Sequence, residues 1–394
     1  MAELPTSPTG GFSLVNGGPS HRLMLRAGLA RPDAPLIGRR AAIISLFAWA
    51  PLLALAAAQG LAYGTAVRVP LLFDLVTYAR FLIALPVFIG VERVIDRWAS
   101  AALRHFRDSD LVREEDAPRF EWALREAGSF RDSAWVEAVL LVAAYARVVS
   151  LSRGELGTAV STWHVLPGTA GALSLAGWWY ALVSLPIFLF LLYRWGWRLV
   201  IWAVLLWRTS RLDLHLLPTH PDLAGGLGFL AEMHVRLAPL VFAFSVVLSA
   251  GIGERWLFLG TPVTRYQGPL LGFAILFPLL GLAPLFVFIG KLIGCRTRGL
   301  LEYGALADRY TQEFDTKWLR GGGPEGEKLL GTADLQSLAD LANSFAVIRK
   351  MRPFPFDSLT VLVLVAAALL PMAPLLFAVM PLADIVEKII RFLA

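Results

Sequence analysis

The chain is poor in the residues from which most disulfide, redox and metal sites are built. It has one cysteine, Cys295, and six histidines in 394 residues. A single cysteine excludes an intrachain disulfide and a zinc site made of several cysteines. Asp, Glu, Lys and Arg make up 17% of the chain, whereas about 25% is usual in a soluble domain. Residues 1–40 lack an apolar run long enough for a signal peptide, so the first apolar segment is expected to stay as a membrane anchor.

What the chain has in excess is apolar sequence. Apolar residues make up 57% of it, and the mean hydropathy is +0.62. Apolar runs of about 20 residues can cross the hydrocarbon core of a bilayer as helices. The sequence therefore predicts an all-α fold, a polytopic membrane helix bundle with about seven transmembrane helices and amphipathic helices in its cytoplasmic loops. The predicted spans are Ala41–Ala62, Val69–Val91, Ala134–Leu151, Ser174–Tyr193, Leu237–Phe258, Pro269–Ile289 and Ser358–Met380.

Lysine and arginine are distributed unevenly between the two sides of this topology. The segments placed inside carry 28 of these residues and the segments placed outside carry 5. Because cytoplasmic loops are enriched in Lys and Arg, we expect the N-terminus inside and the C-terminus outside. Residues 1–40 are predicted to be a disordered cytoplasmic tail, and residues 41–394 a single transmembrane domain with an amphipathic C-terminal tail. The basic loops account for the net charge of +6, and no nucleic-acid motif is present, so the lipid bilayer is the expected partner.

Three cytoplasmic segments, 92–133, 194–236 and 291–357, have amphipathic patterns. The first predicts two short helices, the second of which begins near Pro118. Arg194–Arg208 predicts a helix in the plane of the inner interface, and a long fourth span that projects into the cytoplasm is the alternative. Segment 291–357 predicts a helical hairpin with a break after Gly321. We expect 194–236 and 291–357 to dock together, either for packing alone or also as a surface for a protein partner.

Polar residues inside the predicted spans are candidates for a pathway or ligand contact. Asp74 and Arg147 lie about five residues from the outer ends of their spans, so they can lie at one depth on neighbouring helices. Burial of either charge alone costs about 3 kcal/mol, so the two are predicted to pair, as a structural bridge or as part of an ion relay. Arg80 lies near mid-membrane. If it faces the bundle interior, it could contact an anionic ligand or line a water-filled cavity.

The stretch Thr219–Gly228 combines a capping threonine, a histidine, a proline, an aspartate and glycines. Thr219 and Pro221 predict the start of a helix. Gly225, Gly226 and Gly228 would then lie in its first turns, where glycine is costly and indicates close approach of a backbone or a ligand. The spacing matches neither the phosphate-binding loop nor the dinucleotide fingerprint. His220, Asp222 and these three glycines are candidates for an interfacial site, together with Asp334, Gln336 and Asp340 of the hairpin.

Two functional hypotheses remain open. One is a non-enzymatic membrane component, either a small-solute or ion pathway or a partner-binding scaffold. The other is a membrane-embedded enzyme that acts on a lipid or phosphorylated substrate at the cytoplasmic interface. For that enzyme, a divalent metal is the one cofactor the residues suggest, although no standard ligand spacing occurs; otherwise no cofactor is expected. The candidate ligands are His215, His220, Asp222 and His234. The oligomeric state is left open.

Two stretches, H-P-D-L-A-G-G-L-G-F-L at 220–230 and L-L-G-T-A-D-L-Q-S-L-A-D-L at 329–341, resemble those of an uncharacterised bacterial family of multi-pass inner-membrane proteins. The resemblance covers roughly residues 195–380. It implies a location in the bacterial inner membrane and no reaction. The outside of the topology inferred from the Lys and Arg distribution, where the C-terminus is placed, is then the periplasm.

Overall fold

The computed structural model describes residues 12–29, 36–155, 161–169, 171–322, 326 and 332–378. This part of the chain is helical and contains no strand, which confirms the predicted all-α bundle. Six helices are long and apolar enough to cross a membrane, or seven if a pair bent by 44° at residues 131–134 forms one span. The predicted number of about seven spans agrees with this range.

The spans are numbered here in chain order. Span 2 runs from Leu75 to Asp108 and span 4 from Leu175 to Thr209, and each contains one widened π-helical turn. Span 6 continues through a 3-10 turn, Ala283–Phe288, into the helix Ile289–Phe314, and span 7 ends in the 3-10 segment Leu370–Ala378. The other spans are span 1 (Ile37–Ala58), span 3 (Ala134–Glu155), span 5 (Ala238–Leu259), span 6 (Gln267–Leu282) and span 7 (Ser358–Leu369). Four shorter helices are Gly18–Arg26, Ala117–Arg131, Phe229–Val235 and Ala333–Lys350.

Spans 2 and 4 lie at the centre of the bundle. Phe81 and Phe88 of span 2 and Trp195 and Trp202 of span 4 are fully buried, and the Trp195 indole donates a hydrogen bond to the Phe88 carbonyl at 3.0 Å. Span 1 packs on span 2, span 3 packs on span 4, span 5 packs on span 2, and span 7 packs against both span 5 and span 6. Many outward-facing side chains of the outer spans, such as Val142 and Ile275, are apolar and exposed, as lipid contact requires.

Two sequence-based helix assignments are wrong in the same way. The separate interfacial helix Arg194–Arg208 does not exist, because span 4 runs without a break to Thr209, as in the alternative interpretation. The first of the two short helices expected in 92–133 is the end of span 2, which continues to Asp108. The second is confirmed as the helix Ala117–Arg131, with Pro118 in its first turn. Both long helices continue because their charged residues find partners inside the protein.

A buried ionic network joins spans 1, 2 and 4. The Glu92 carboxylate contacts the Arg40 guanidinium through one oxygen and the Arg198 guanidinium through the other, the latter at 2.9 Å. All three side chains are at most about a tenth exposed. The arginines of 194–208 therefore bind carboxylates in the bundle instead of lipid headgroups.

The predicted disordered tail is ordered over residues 12–29. The Asp96 carboxylate accepts hydrogen bonds from the Leu14 amide at 2.7 Å and the Ser13 hydroxyl at 2.8 Å, and Leu14 is fully buried. The Glu137 carboxylate accepts from the Ser20 amide at 2.7 Å. Half-buried carboxylates of spans 2 and 3 thus hold this segment. Residues 1–11 and 30–35, and the C-terminal tail from residue 379, lie outside the described residues.

The segments 194–236 and 291–357 dock together, as predicted. The Lys291 ammonium donates to the Leu212 carbonyl at 2.6 Å, and the Arg352 backbone amide donates to the Leu223 carbonyl at 2.7 Å. The predicted hairpin is also present, since the helix Ala333–Lys350 packs on Ile289–Phe314.

Candidate functional site

A polar cavity lies between spans 2, 3, 4 and 5, under the loop 161–173. Its volume is about 300 Å³, which is room for about ten water molecules. Apolar side chains form most of its wall. The polar residues on the wall are Asp74, Arg80, Thr162, His164, Tyr180, Glu254 and Arg255.

The two π-helical turns of the bundle meet at this cavity. Arg80 lies in the turn Ala79–Ala84 of span 2, and Tyr180 lies in the turn Tyr180–Ser184 of span 4. In each span a proline, Pro86 or Pro186, follows the turn by two residues. Because proline has no N–H to donate and its ring crowds the preceding turn, it disfavours regular α-helical hydrogen bonding there. The Arg80 guanidinium donates a hydrogen bond to the Tyr180 hydroxyl. Single π-turns inside α-helices occur frequently at functional sites.

Arg80 has no carboxylate in direct contact. Within the described part of the chain, no Asp or Glu oxygen lies within 4.0 Å of its guanidinium nitrogens, and its Nε is buried without a hydrogen-bond partner. A cation inside a membrane bundle normally pairs with a counter-charge, because an unpaired charge is costly there. The cavity therefore contains a positive charge that the neighbouring side chains do not neutralise by contact.

Two carboxyl groups from different helices meet at the start of span 2. Asp74 caps the span, and its oxygens accept hydrogen bonds at 2.8 Å from the Thr77 amide, the Thr77 hydroxyl and the Trp163 indole. Glu254 of span 5 accepts from the Val76 amide at 3.4 Å, so both carboxyls lie at the first turn of span 2. The free N–H groups and the dipole at a helix N-terminus favour negative charge.

His164 closes one side of the cavity as a neutral base. Its ring stacks on Trp163, with centroids 3.8 Å apart, and its Nδ1 lies 3.2 Å from the Thr162 hydroxyl. Its Nε2 is buried without a hydrogen-bond partner. Burial lowers the pKa of His164 to about 4, against the opposing effect of the Asp74 carboxylate, so the imidazole is uncharged at neutral pH.

The structure separates the residues predicted for the membrane interior. Asp74 and Arg80 line the same cavity, but Arg147 is exposed on span 3 and its guanidinium lies 3.4 Å from the Ser150 hydroxyl. The predicted Asp74–Arg147 pair is wrong, because span 3 packs on span 4 and carries Arg147 on its exposed face, whereas Asp74 is buried. Glu254, His164 and Tyr180 were not predicted. For Glu254 the signal was available, since it is an acidic residue inside a predicted span.

The Asp222 loop is a turn structure and not a helix start. The helix after it begins at Phe229, and Gly225 and Gly226 have φ values of +64° and +96°. The Asp222 carboxylate accepts hydrogen bonds from the amides of Ala224 at 2.8 Å, Gly226 at 3.2 Å and Gly228 at 2.8 Å. Burial raises the pKa of Asp222, but these hydrogen bonds outweigh it and lower the pKa below its usual value. The glycines are thus explained by backbone conformation and by the approach of Asp222 itself.

The four candidate metal ligands do not form one site. His220 Nδ1 lies 2.8 Å from an Asp222 oxygen, but His215 is exposed, and His234 is fully buried with its Nδ1 2.8 Å from the Leu230 carbonyl. Among residues 12–29, 36–155, 161–169, 171–322, 326 and 332–378 there is no group of three or more His, Cys, Asp or Glu arranged to hold a metal ion.

The hairpin candidates make their hydrogen bonds within the hairpin. Asp334 accepts from the Lys317 ammonium at 2.8 Å and the Trp318 indole at 3.1 Å, and Gln336 donates to Asp340 at 3.0 Å. The Asp334 contacts hold one half of the hairpin to the other, the Gln336–Asp340 bond lies within the helix Ala333–Lys350, and none of these contacts connects the three residues with the Asp222 loop.

No family model, curated protein or solved structure matches this chain. Function must therefore be inferred from the geometry of the cavity.

Proposed function

We propose that this protein is a transport component of the membrane that binds a small anionic solute in the cavity at Arg80. The observation that carries the proposal is the Arg80 guanidinium, which lines a cavity of about 300 Å³ and has no carboxylate in contact within the described residues. An incoming anion would supply the missing counter-charge and the missing hydrogen-bond acceptor at Nε.

The remaining groups on the wall narrow the class of solute. The cavity volume lies at the lower end of the range for ligand pockets, which favours a compact molecule. The Tyr180 hydroxyl, the Thr162 hydroxyl and the His164 Nε2 offer neutral hydrogen-bonding groups, and apolar residues such as Val247 and Leu185 form the rest of the wall. A short-chain carboxylate with one or two hydroxyl or keto groups fits this surface, as does inorganic phosphate.

The location and orientation are part of the proposal. We place the protein in a bacterial inner membrane with the N-terminus in the cytoplasm, as the family resemblance and the excess of Lys and Arg in the predicted inner segments suggest. The cavity then lies near the periplasmic end of the bundle, because Asp74 caps span 2 at that end and Arg80 follows about 1.7 turns later.

Equilibrium binding to the purified protein tests the proposal. The probes are radiolabelled lactate, succinate and inorganic phosphate, and the variants are Arg80→Gln and, as a matched control, Arg147→Gln. We expect at least one probe to bind the wild type and the Arg147→Gln variant equally. In Arg80→Gln the same probe should bind about 10- to 100-fold more weakly, since a hydrogen bond to a charged group contributes about 1.5–3 kcal/mol. Absence of binding of all three probes, or equal binding by Arg80→Gln, would contradict the proposal.

A further inference from the structure

We propose that the Asp74 and Glu254 carboxyls share one exchangeable proton, and that an anion bound at Arg80 and this proton bind cooperatively. The cooperativity between anion and proton rests on the proposed function, whereas the shared proton does not. The consequence is that the cavity takes up a proton together with its anion.

The first observation is the position of the two carboxyls. Asp74 caps span 2 and Glu254 belongs to span 5, and they accept hydrogen bonds from adjacent backbone amides in the first turn of span 2, Thr77 at 2.8 Å and Val76 at 3.4 Å. Two carboxylates that share a site cannot both ionise at low cost, and such a pair holds a single proton.

The second observation is that the other partners of the two groups are unequal. Asp74 already accepts three hydrogen bonds at 2.8 Å, from the Thr77 amide and hydroxyl and from the Trp163 indole. Glu254 accepts a single long one, at 3.4 Å from the Val76 amide. Hydrogen bonds to the charged form stabilise it, so the proton that the pair shares resides on Glu254.

The third observation is access. Both carboxyls lie on the wall of the cavity, where water or a solute can exchange the proton. The charged or titratable groups around the pair are Tyr78 and Arg80 on span 2, His164 on the loop, Tyr180 on span 4 and Arg255 on span 5. His164 stays neutral near pH 7, because burial lowers its pKa to about 4. Glu254 is thus the group of the cavity that can take up and release the proton.

The sign of the coupling follows from electrostatics. An anion at Arg80 adds negative charge to the cavity that holds the pair, and this favours the protonated state of the pair. By linkage, the proton must favour the anion by the same factor. Anion affinity should therefore rise as the pH falls, by at most about tenfold per pH unit for one linked proton.

Infrared spectroscopy tests the proton without any solute. The probe is the carbonyl stretching band of a protonated carboxylic acid, recorded for the purified protein at neutral pH in H₂O and in D₂O. We expect the wild type to show a band that shifts in D₂O and that is absent from Glu254→Gln, in which the amide replaces the protonated acid at equal size. The control, Glu121→Gln, alters an exposed carboxylate that is paired with Arg107 at 2.8 Å, and it should keep the band. A wild type without such a band, or a band that persists unchanged in Glu254→Gln, would overturn the shared proton.

A pH series of anion binding tests the coupling separately. For the anion that binds in the experiment on Arg80, we expect wild-type affinity to rise from about pH 8 to about pH 6, whereas Glu254→Gln should show an affinity that is independent of pH over the same range. Wild-type affinity that does not depend on pH would refute the coupling. If the infrared band is present but no anion binds, the shared proton stands and the proposed function is refuted. If an anion binds but there is neither an infrared band nor a pH dependence, the proposed function stands and the shared proton is refuted.

Discussion

Replacement of Glu92 by glutamine should destabilise the bundle strongly. The Glu92 carboxylate contacts two arginines, Arg40 of span 1 and Arg198 of span 4, and the exposed fractions of the three side chains are 7%, 10% and 3%. Glutamine keeps the shape of the side chain but removes the negative charge. Two guanidinium groups would then stay buried with no carboxylate between them. Removal of one partner from a buried ion pair costs about 3–5 kcal/mol, and we expect the free energy of unfolding to fall by this amount.

Thermal and denaturant unfolding of the purified protein in one detergent measures the effect. Glu121→Gln is the matched control, because Glu121 also pairs with an arginine, Arg107, but both side chains are more than 40% exposed. Exposed pairs contribute about 0–1 kcal/mol, so the control should unfold almost as the wild type does. Equal stability of the two variants would show that the network does not hold spans 1, 2 and 4 together.

Three further predictions concern other parts of the molecule. Gly226→Leu should lower the free energy of unfolding by about 1–3 kcal/mol, because φ at Gly226 is +96° and a Cβ would lie 3.3 Å from a neighbouring leucine. The loss should be larger than that caused by His220→Ala. The reverse order in thermal unfolding would refute this prediction and favour metal ligation by His220. The free energy of unfolding of the wild type should fall by up to about 3 kcal/mol as the pH drops from about 6.5 to about 4. In this range His164 binds a proton in the unfolded chain but not in the folded protein, where its pKa is about 4. The same loss of stability with falling pH in His164→Gln would contradict the lowered pKa of His164. Tyr63→Cys and Ser337→Cys each place a thiol at an exposed position. An impermeant thiol reagent added to intact cells should label the cysteine at position 63 and not the one at position 337. Labelling at position 337 would overturn the proposed orientation.

The sequence predicted the bundle well because span length is a simple consequence of bilayer thickness. The sequence-based prediction was wrong where an arginine could bind either lipid headgroups or a buried carboxylate. A helical wheel places Arg194 and Arg198 on one face but does not show whether that face meets lipid headgroups or a buried carboxylate. Glu92, the partner of Arg198, lies more than 100 positions away on another span, and only the packing of spans 2 and 4 brings the two together.

The site was predicted only in part, again because the sequence does not show which helix faces meet. Asp74 and Arg80 could be recognised as charges within an apolar run, and both line the cavity. Their partners could not be assigned, because the pairing of Asp74 with Arg147 assumed equal depth and had no information on which face each helix turns inward. Glu254 belonged to the same class of residue and could have been included. The glycines at 225 and 226 predicted close backbone approach at a helix start, whereas they lie in a turn with positive φ; a turn and a helix start have the same composition.

Solute flux into proteoliposomes is the measurement that tests the central claim most directly. The wild type, Arg80→Gln and Arg147→Gln are reconstituted at equal density, and uptake of the radiolabelled anion that binds at equilibrium is followed against protein-free liposomes. We expect the wild type and Arg147→Gln to take up the anion at the same rate, and Arg80→Gln to take it up at least about tenfold more slowly, as expected when a hydrogen bond to a charged group is lost. Uptake by the wild type no faster than by empty liposomes, or undiminished uptake by Arg80→Gln, would contradict the account.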